Sequence, residues 1–440
     1  MKLTRYQWMV LFAAWLGWGF DIFDGLLFNY VAPNCVPTLL GLTIGSPEAK
    51  AATLYWTGLI TSALLIGWAI GGIVFGYIAD RIGRTKTLLL TMLLYALGTA
   101  SCAFVPNIQI LLFFRLIASL GIGGEWAAGA AMVAEVMPKK YRVEAGALLY
   151  TSASMGLFLA SSVNYLVSRV LFSANPEISW RYVFLAGLIP ASFAISIRFF
   201  IKEPEAWQSQ KGQKPPAIQE IFAPGIRKAT LSGLSVSVIA LLTWWSCNSF
   251  MPVVASGLAQ VAIKAQDIPI DKVQMVIEDW KTSITNSFNI GGLIGTLLTI
   301  PAAKILGRKW MFGIYFVLSS LAVTFTFGVV HNSNLVIWCW LYFAIGLTVF
   351  GIFGSFTFYL PELFPTRLRA TGSGFCYNAG RIITAIGPFL VGQIASGKTN
   401  VLQGAFGVLF IIGFIPLVGI ALMPWVIETK SQQIDETSLY

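Results

Sequence analysis

Long apolar runs separated by short polar turns fill this chain from end to end. They fall at about 8–33, 54–79, 87–105, 109–137, 143–171, 181–201, 229–260, 281–303, 310–330, 335–361, 369–395 and 401–427. A helix needs roughly 20 residues to cross a hydrocarbon core of ~30 Å, and these runs approach or exceed that length. The pattern predicts an all-α membrane protein with twelve transmembrane helices. Six runs precede the polar stretch 202–228 and six follow it. The expected organisation is therefore a six-helix bundle over 1–201, a linker over 202–228 and a second six-helix bundle over 229–440. Lys, Gln, Glu and Pro215-Pro216 give the linker a composition that interrupts a helix. A second polar stretch, about 262–280, is expected on the opposite face, over the entrance.

Polar signals recur between the two halves at a nearly constant offset. Gly83-Arg84 returns as Gly307-Arg308, 224 residues later. The pattern E-x-x-P-x-x-x-R stands at Glu135, Pro138 and Arg142, and again at Glu362, Pro365 and Arg369, 227 residues on. Glu203 and Glu428, each closing a long apolar run, lie 225 apart. Two copies in one orientation predict pseudo-symmetric bundles with a cleft between them, the plan of many secondary transporters.

Composition places the chain in lipid, with 56% hydrophobic and 11% charged residues against roughly 25% charged in soluble domains. A net charge of +10 invites a nucleic-acid reading, but the basic residues follow the loops. With the N-terminus inside, nineteen Lys and Arg fall in cytoplasmic loops and seven, Lys281 among them, on the other face. That bias predicts cytoplasmic termini in a cell (inner) membrane. The first run carries Asp21 and Asp24 and no A-x-A-like site, so it is expected to be a helix and not a signal peptide. Five scattered cysteines predict neither a disulfide framework nor a metal site. The single histidine, His331, falls in a short outer loop, which argues against a histidine proton relay.

At the end of the second run stands GYIADRIGR, with Gly76, Asp80, Arg81, Gly83 and Arg84. Together with both E-x-x-P-x-x-x-R copies, this signature resembles the major facilitator superfamily across essentially the whole chain. The resemblance implies the major facilitator fold. It also implies a cytoplasmic gate built from Gly76, Asp80, Arg81, Gly83, Arg84, Glu135, Arg142, Glu362 and Arg369. Lys304 and Ile305 depart from the loop signature in the second copy, so the two halves are not expected to form symmetric locks. DIFD at 21–24, GIGGEW at 121–126, RFFIKEPEAW at 198–207 and YLPELFPTRLRATGSGFCYNAGR at 359–381 resemble the sialate:proton, aromatic acid:proton and metabolite:proton symporters. Organic acids are the cargo that this group implies.

An ionisable side chain inside an apolar span costs roughly 2.5–3.5 kcal/mol on insertion scales, so each needs a partner or a task. Five stand out: Asp21, Asp24, Arg115, Glu125 and Arg381. Counting residues from the cytoplasmic markers sets Asp21 and Glu125 thirteen residues deep and Arg381 twelve, one level near the midplane. Asp24 and Arg115 lie further out, where they can meet. A buried carboxylate that exchanges a cationic partner for a proton couples protonation to conformation. Asp24 with Arg115 resembles the helix-one to helix-four pair of proton-coupled sugar porters, and Asp21 and Glu125 are further proton-coupling candidates. A permanent structural ion pair is the alternative for Asp24 and Arg115.

Arg381 is the leading substrate candidate, because a guanidinium stays charged and grips a carboxylate with two parallel hydrogen bonds. Tyr377 and Asn378 precede it on one polar stripe. Asn164, Trp244, Asn248 and Asn289 are candidates to complete the pocket, although such residues also serve helix packing. The Phe-rich stretch Phe350, Phe353, Phe356 and Phe358 is read as packing. No nucleophile, metal cluster or G-x-x-x-x-G-K-[ST] loop is present. The expected function is proton-coupled symport of a small organic anion (a monocarboxylate, aromatic acid or sugar acid) by a monomer that has lipid neighbours and needs no cofactor beyond the coupling proton. Transport of a neutral sugar or an organic cation on the same fold is the alternative, with Arg381 then purely structural.

Overall fold

The structure is a computed structural model that describes residues 3–82, 84–189, 192, 217–329, 334–365, 368–397 and 401–430. Among the described residues it is helical throughout and contains no strand. The helices are α1 (Arg5–Leu40), α2 (Pro47–Ile82), α3 (Arg84–Cys102), α4 (Ile108–Val136), α5 (Arg142–Asn164, continued by Tyr165–Leu171) and α6 (Pro176–Ala186). After the linker come α7 (Arg227–Asn248 and Met251–Gln266), α8 (Val273–Ile305) and α9 (Arg308–Gly328). The set closes with α10 (Leu335–Ile345 through Phe356–Glu362), α11 (Arg369–Thr384 and Ile386–Ser396) and α12 (Val401–Ile412 and Ile415–Ala421). Eleven of the twelve apolar runs lie on one of them, and the described start of the remaining run, 181–201, lies on α6. The architecture is the major facilitator fold of two six-helix bundles.

Lipid-facing helices invert the soluble pattern, with polar side chains turned inward and apolar ones outward. On α8, Thr285, Asn289, Thr296 and Thr299 are buried while Ile290, Ile294, Leu297 and Leu298 are exposed. On α11, Arg381 is buried and its neighbours Ile382 and Ile383 face out. Small residues let helix backbones close on each other. A Cβ on Gly71 would strike the Leu120 carbonyl, and one on Gly123 the Trp68 carbonyl, so α2 and α4 touch along glycine. Gly295 against Leu347 and Gly346 against Phe288 repeat the device between α8 and α10.

The two bundles meet along two seams. In one, α2 packs on α11: Ser62 Oγ donates to the Ala385 carbonyl at 2.6 Å, and a Cβ on Gly58 would come within 2.5 Å of the Pro388 carbonyl oxygen. In the other, α5 packs on α8, with Ser161 and Thr285 hydroxyls 3.4 Å apart. The end of the molecule where α1 begins and α12 runs out is here the terminal end; the opposite one is the distal end.

Two expectations are corrected. The stretch 262–280 is not a loop over an entrance: α7 runs to Gln266, a turn with Asp267 at φ 49 follows, and α8 begins at Val273. Lys281 is consequently no loop residue but a fully buried one, two turns into α8. Of the linker, residues 217–228 are described; Ile218–Phe222 forms a 3-10 turn whose buried Ile221 accepts a hydrogen bond from Thr230 at 2.6 Å.

Candidate functional site

Arg381 stands where the bundles meet, 2% exposed. Its guanidinium carbon lies 4.3 Å from the Trp68 ring centroid and 4.5 Å from that of Tyr377. From there the contacts run round a closed circuit. Trp68 meets Trp245 edge-on at 5.8 Å, and Trp245 meets Trp244 at 4.7 Å. Trp244 packs at 5.9 Å on Phe353, which stacks at 6.0 Å on Tyr150. The Tyr150 hydroxyl meets that of Tyr377, which returns to Arg381. Five helices, α2, α5, α7, α10 and α11, supply this ring, so both bundles contribute. Cation–π contact with a desolvated guanidinium contributes about 2 kcal/mol, which offsets part of the cost of burying it.

Asn378 Oδ1 accepts from Arg381 Nη1 at 2.9 Å. Gly72 makes room for that amide, since a Cβ there would lie 2.8 Å from Asn378 Nδ2. Asp21, also buried, is near enough to act on Arg381 through charge. Arg381 Nε, Trp68 Nε1 and Trp244 Nε1 are buried donors with no hydrogen-bond partner. A buried unmade hydrogen bond costs about 1–3 kcal/mol, and such groups in a native structure call for an explanation.

Further toward the distal end, Asp24 and Arg115 form a buried ion pair at 3.3 Å. Arg115 also donates to the carbonyls of Asp24 (3.2 Å) and Gly25 (2.7 Å). Thr99 Oγ1 donates to Asp24 Oδ1, which leaves Oδ2 without a partner. Arg115 is thus tied to the backbone of α1 as firmly as to the carboxylate, and Asp24 keeps one free oxygen.

The other candidates are distributed as follows. Trp244 sits in the ring. Asn248, one turn on, is buried. Neither amide atom of Asn289 closes a hydrogen bond, although the group faces the Tyr30 hydroxyl. Asn164 lies at the distal end, where its Nδ2 donates to Glu278 Oε2 at 2.9 Å. The Glu125 side chain lies outside the described residues, as do those of Gly76, Asp80, Arg81, Gly83, Arg84, Glu135, Arg142 and Arg369, and so does His331.

Of the gate candidates, Glu362 is described, and it explains the repeated signals. Arg308 donates to both Glu362 oxygens, at 3.0 and 2.8 Å. Glu428 caps the start of α9 by accepting from the Arg308 and Lys309 backbone N–H groups at 3.0 and 3.1 Å. The three echoes of the second half therefore converge on one cluster. Burial pushes the Glu428 carboxyl up, but the N–H groups of Arg308, Lys430 and Lys309 and the Arg308 charge outweigh it and hold the acid below the usual carboxylate range. Gly307 permits the arrangement: its φ of 91° and ψ of 168° suit glycine alone, and a Cβ would come within 2.5 Å of Glu428 Oε2. Gly307→Ala is expected to cost about 1–3 kcal/mol, read as a lower unfolding temperature of the solubilised protein. Lys304, where the motif departs, reaches across the seam to Glu144.

Sequence reasoning missed Trp68, Tyr150 and Glu278 and set Lys281 on the outer face, while Trp245, like Trp244, was a candidate to complete the pocket. Trp68 had one signal, its place between Gly67 and Gly71-Gly72 on the face where α2 meets α4 and α11. Phe353, read as packing, is part of the ring, and Phe350 borders it at 5.8 Å from Trp244.

A family model described as "Sugar (and other) transporter" matches residues 43–232. A probable 4-methylmuconolactone transporter of Cupriavidus pinatubonensis is 28% identical, over 96% of this chain and 91% of its own. A sialic acid transporter of Escherichia coli (strain K12) is 27% identical, over 88% of this chain and 86% of its own. Among solved structures, a D-xylose-proton symporter superposes with a TM-score of 0.73 over 97% of this chain and 100% of its own, at 17% identity. That likeness speaks for the fold.

Proposed function

We propose that this chain is a transporter of the major facilitator superfamily and couples proton entry to the uptake of a small organic anion by alternating access, a reading that its similarity to sugar (and other) transporters supports. The observation that carries this reading is the Arg381 guanidinium, buried and roofed by Trp68 and Tyr377, with its Nε–H unengaged and the indole N–H of the Trp68 that covers it unengaged as well. A carboxylate supplies acceptors for such donors, and two parallel hydrogen bonds to guanidinium are the strong form of that contact. Aromatic walls suit a flat, unsaturated or ring-shaped body. Relatives named for a muconolactone and for sialic acid support an organic acid as cargo. In the closed ring seen here Trp68 and Tyr377 lie over the guanidinium, so loading requires one of them to swing aside.

Asp24 is the proton carrier in this scheme. A proton arriving from outside bonds to Oδ2 and leaves a neutral acid. Arg115 then keeps only its carbonyl bonds to α1, and the grip between α1 and α4 loosens. Release of the proton inside restores the pair. The halves 1–201 and 229–440, joined by the linker 202–228, rock as units against each other, in a monomer with both termini in the cytoplasm. Reconstituted uptake of a panel of labelled carboxylates, with and without an imposed pH gradient and with amines and sugars as competitors, tests the whole. Gradient-driven uptake inhibited by carboxylates alone is expected. Uptake blocked by amines or sugars, or indifferent to the gradient, overturns the proposal.

A further inference from the structure

We propose that Glu278 is the latch that holds the distal end of the transport path shut, and that its release opens the path from that side. Its carboxylate accepts from four side chains on three helices: Asn34 of α1 at 3.3 Å, Asn164 of α5 at 2.9 Å, and Gln274 and Lys281 of α8 at 3.0 and 2.7 Å. Lys281 also donates to the Tyr30 carbonyl of α1 at 3.2 Å. Asn34, Asn164 and Tyr30 belong to the first bundle, while Gln274, Glu278 and Lys281 belong to the second. One side chain thus staples the bundles together.

The chemistry suits a latch better than a rivet. An ionised carboxylate only accepts hydrogen bonds, so it alone satisfies four converging donors. Glu278 and Lys281 are both fully buried, and a buried ion pair adds little net stability because desolvation cancels most of the attraction. An apolar contact of the same area would resist parting in water. A hub of amides, ammonium and carboxylate exchanges its internal bonds for water when the bundles separate, so shut and open states stay close in free energy.

Three neighbouring features fit. Directly after Asn164 the backbone of α5 widens into π-helical turns, Tyr165–Leu171, a distortion often found at functional sites. A partly exposed second pair, Arg169 with Asp279 at 3.0 Å, crosses the same seam at the rim. A cavity of 60 Å³ opens beside the hub, lined by Asn34 and Gln274 and walled by Lys50, which feels the charge of Lys264. Arg381 does not line that cavity. The hub therefore borders a cavity that is separate from the Arg381 ring and has one cationic side chain, Lys50, in its wall.

Hydrogen–deuterium exchange on the solubilised full chain tests the latch without a substrate, so its outcome is independent of the cargo assigned above. Glu278→Gln places an N–H among donors and strands Lys281. Asn164→Ala removes one donor and leaves the ion pair intact. In both variants, amides in 28–40, 160–171 and 273–285 are expected to exchange about tenfold faster or more, the scale of one hydrogen bond to a charged group, with Glu278→Gln the larger effect. Amides in 300–310, at the terminal end, are expected to keep their rate or slow down. If Glu278→Gln fails to fold, Asn164→Ala decides. Wild-type exchange at the distal segments of a folded variant, or acceleration spread evenly over both ends, overturns the proposal.

Discussion

Arg381→Lys is expected to lower kcat/KM for a carboxylate substrate about 30- to 100-fold. The variant keeps a positive charge but loses the planar fork and its stacking between Trp68 and Tyr377. Disrupting a buried, hydrogen-bonded charge pair costs about 2–5 kcal/mol, and retention of charge places the lysine variant at the low end, with tenfold for each 1.4 kcal/mol. The loss should appear chiefly in KM, because the guanidinium holds the substrate and does no chemistry on it. Initial rates in proteoliposomes measure it. Kinetics equal to the wild type would remove the carboxylate grip from the scheme.

Asp24→Asn is expected to abolish concentrative uptake while sparing exchange. Asparagine keeps an acceptor for Thr99 and Arg115 but cannot carry a proton. One pH unit across the membrane is worth about 1.4 kcal/mol, or tenfold accumulation for one proton per substrate. The variant's accumulation ratio should fall to unity under that gradient, with counterflow of labelled against unlabelled substrate still running. Accumulation that survives in the variant would leave the Asp24–Arg115 pair a structural tie between α1 and α4.

Helices and their repeat were legible because a lipid-facing helix must be apolar over a whole span, a long signal that a window of residues captures. Depth counting also anticipated that Asp24 and Arg115 lie within reach of each other. It failed for Glu278 and Lys281, which hydropathy assigned to a loop with Asp279 beside them. Those charges sit inside a helix, where a pair three residues apart faces inward and neutralises itself. Average hydropathy reports how many charges a stretch holds, never which way they point.

The ring about Arg381 was hidden for a different reason. Trp68, Tyr150 and Phe353 come from three helices far apart in sequence, and each alone reads as ordinary packing; Trp244 was a candidate, but its partners were not visible. Tyr377 and Asn378 were visible because they share one turn of α11 with the arginine. The gate signature could be recognised by its repetition, but its meaning needed coordinates: Arg308, Glu362 and Glu428 are far apart in the chain and in contact in the fold.

A thermodynamic cycle tests the central claim most directly. Tryptophan fluorescence of the purified protein is titrated with an organic acid and with its neutral primary amide, in the wild type and in Arg381→Lys. The expected result is a strong preference for the acid in the wild type that collapses in the variant, with amide binding little changed. A preference for the acid that persists undiminished in Arg381→Lys would contradict the account and place the anion's partner elsewhere in the chain.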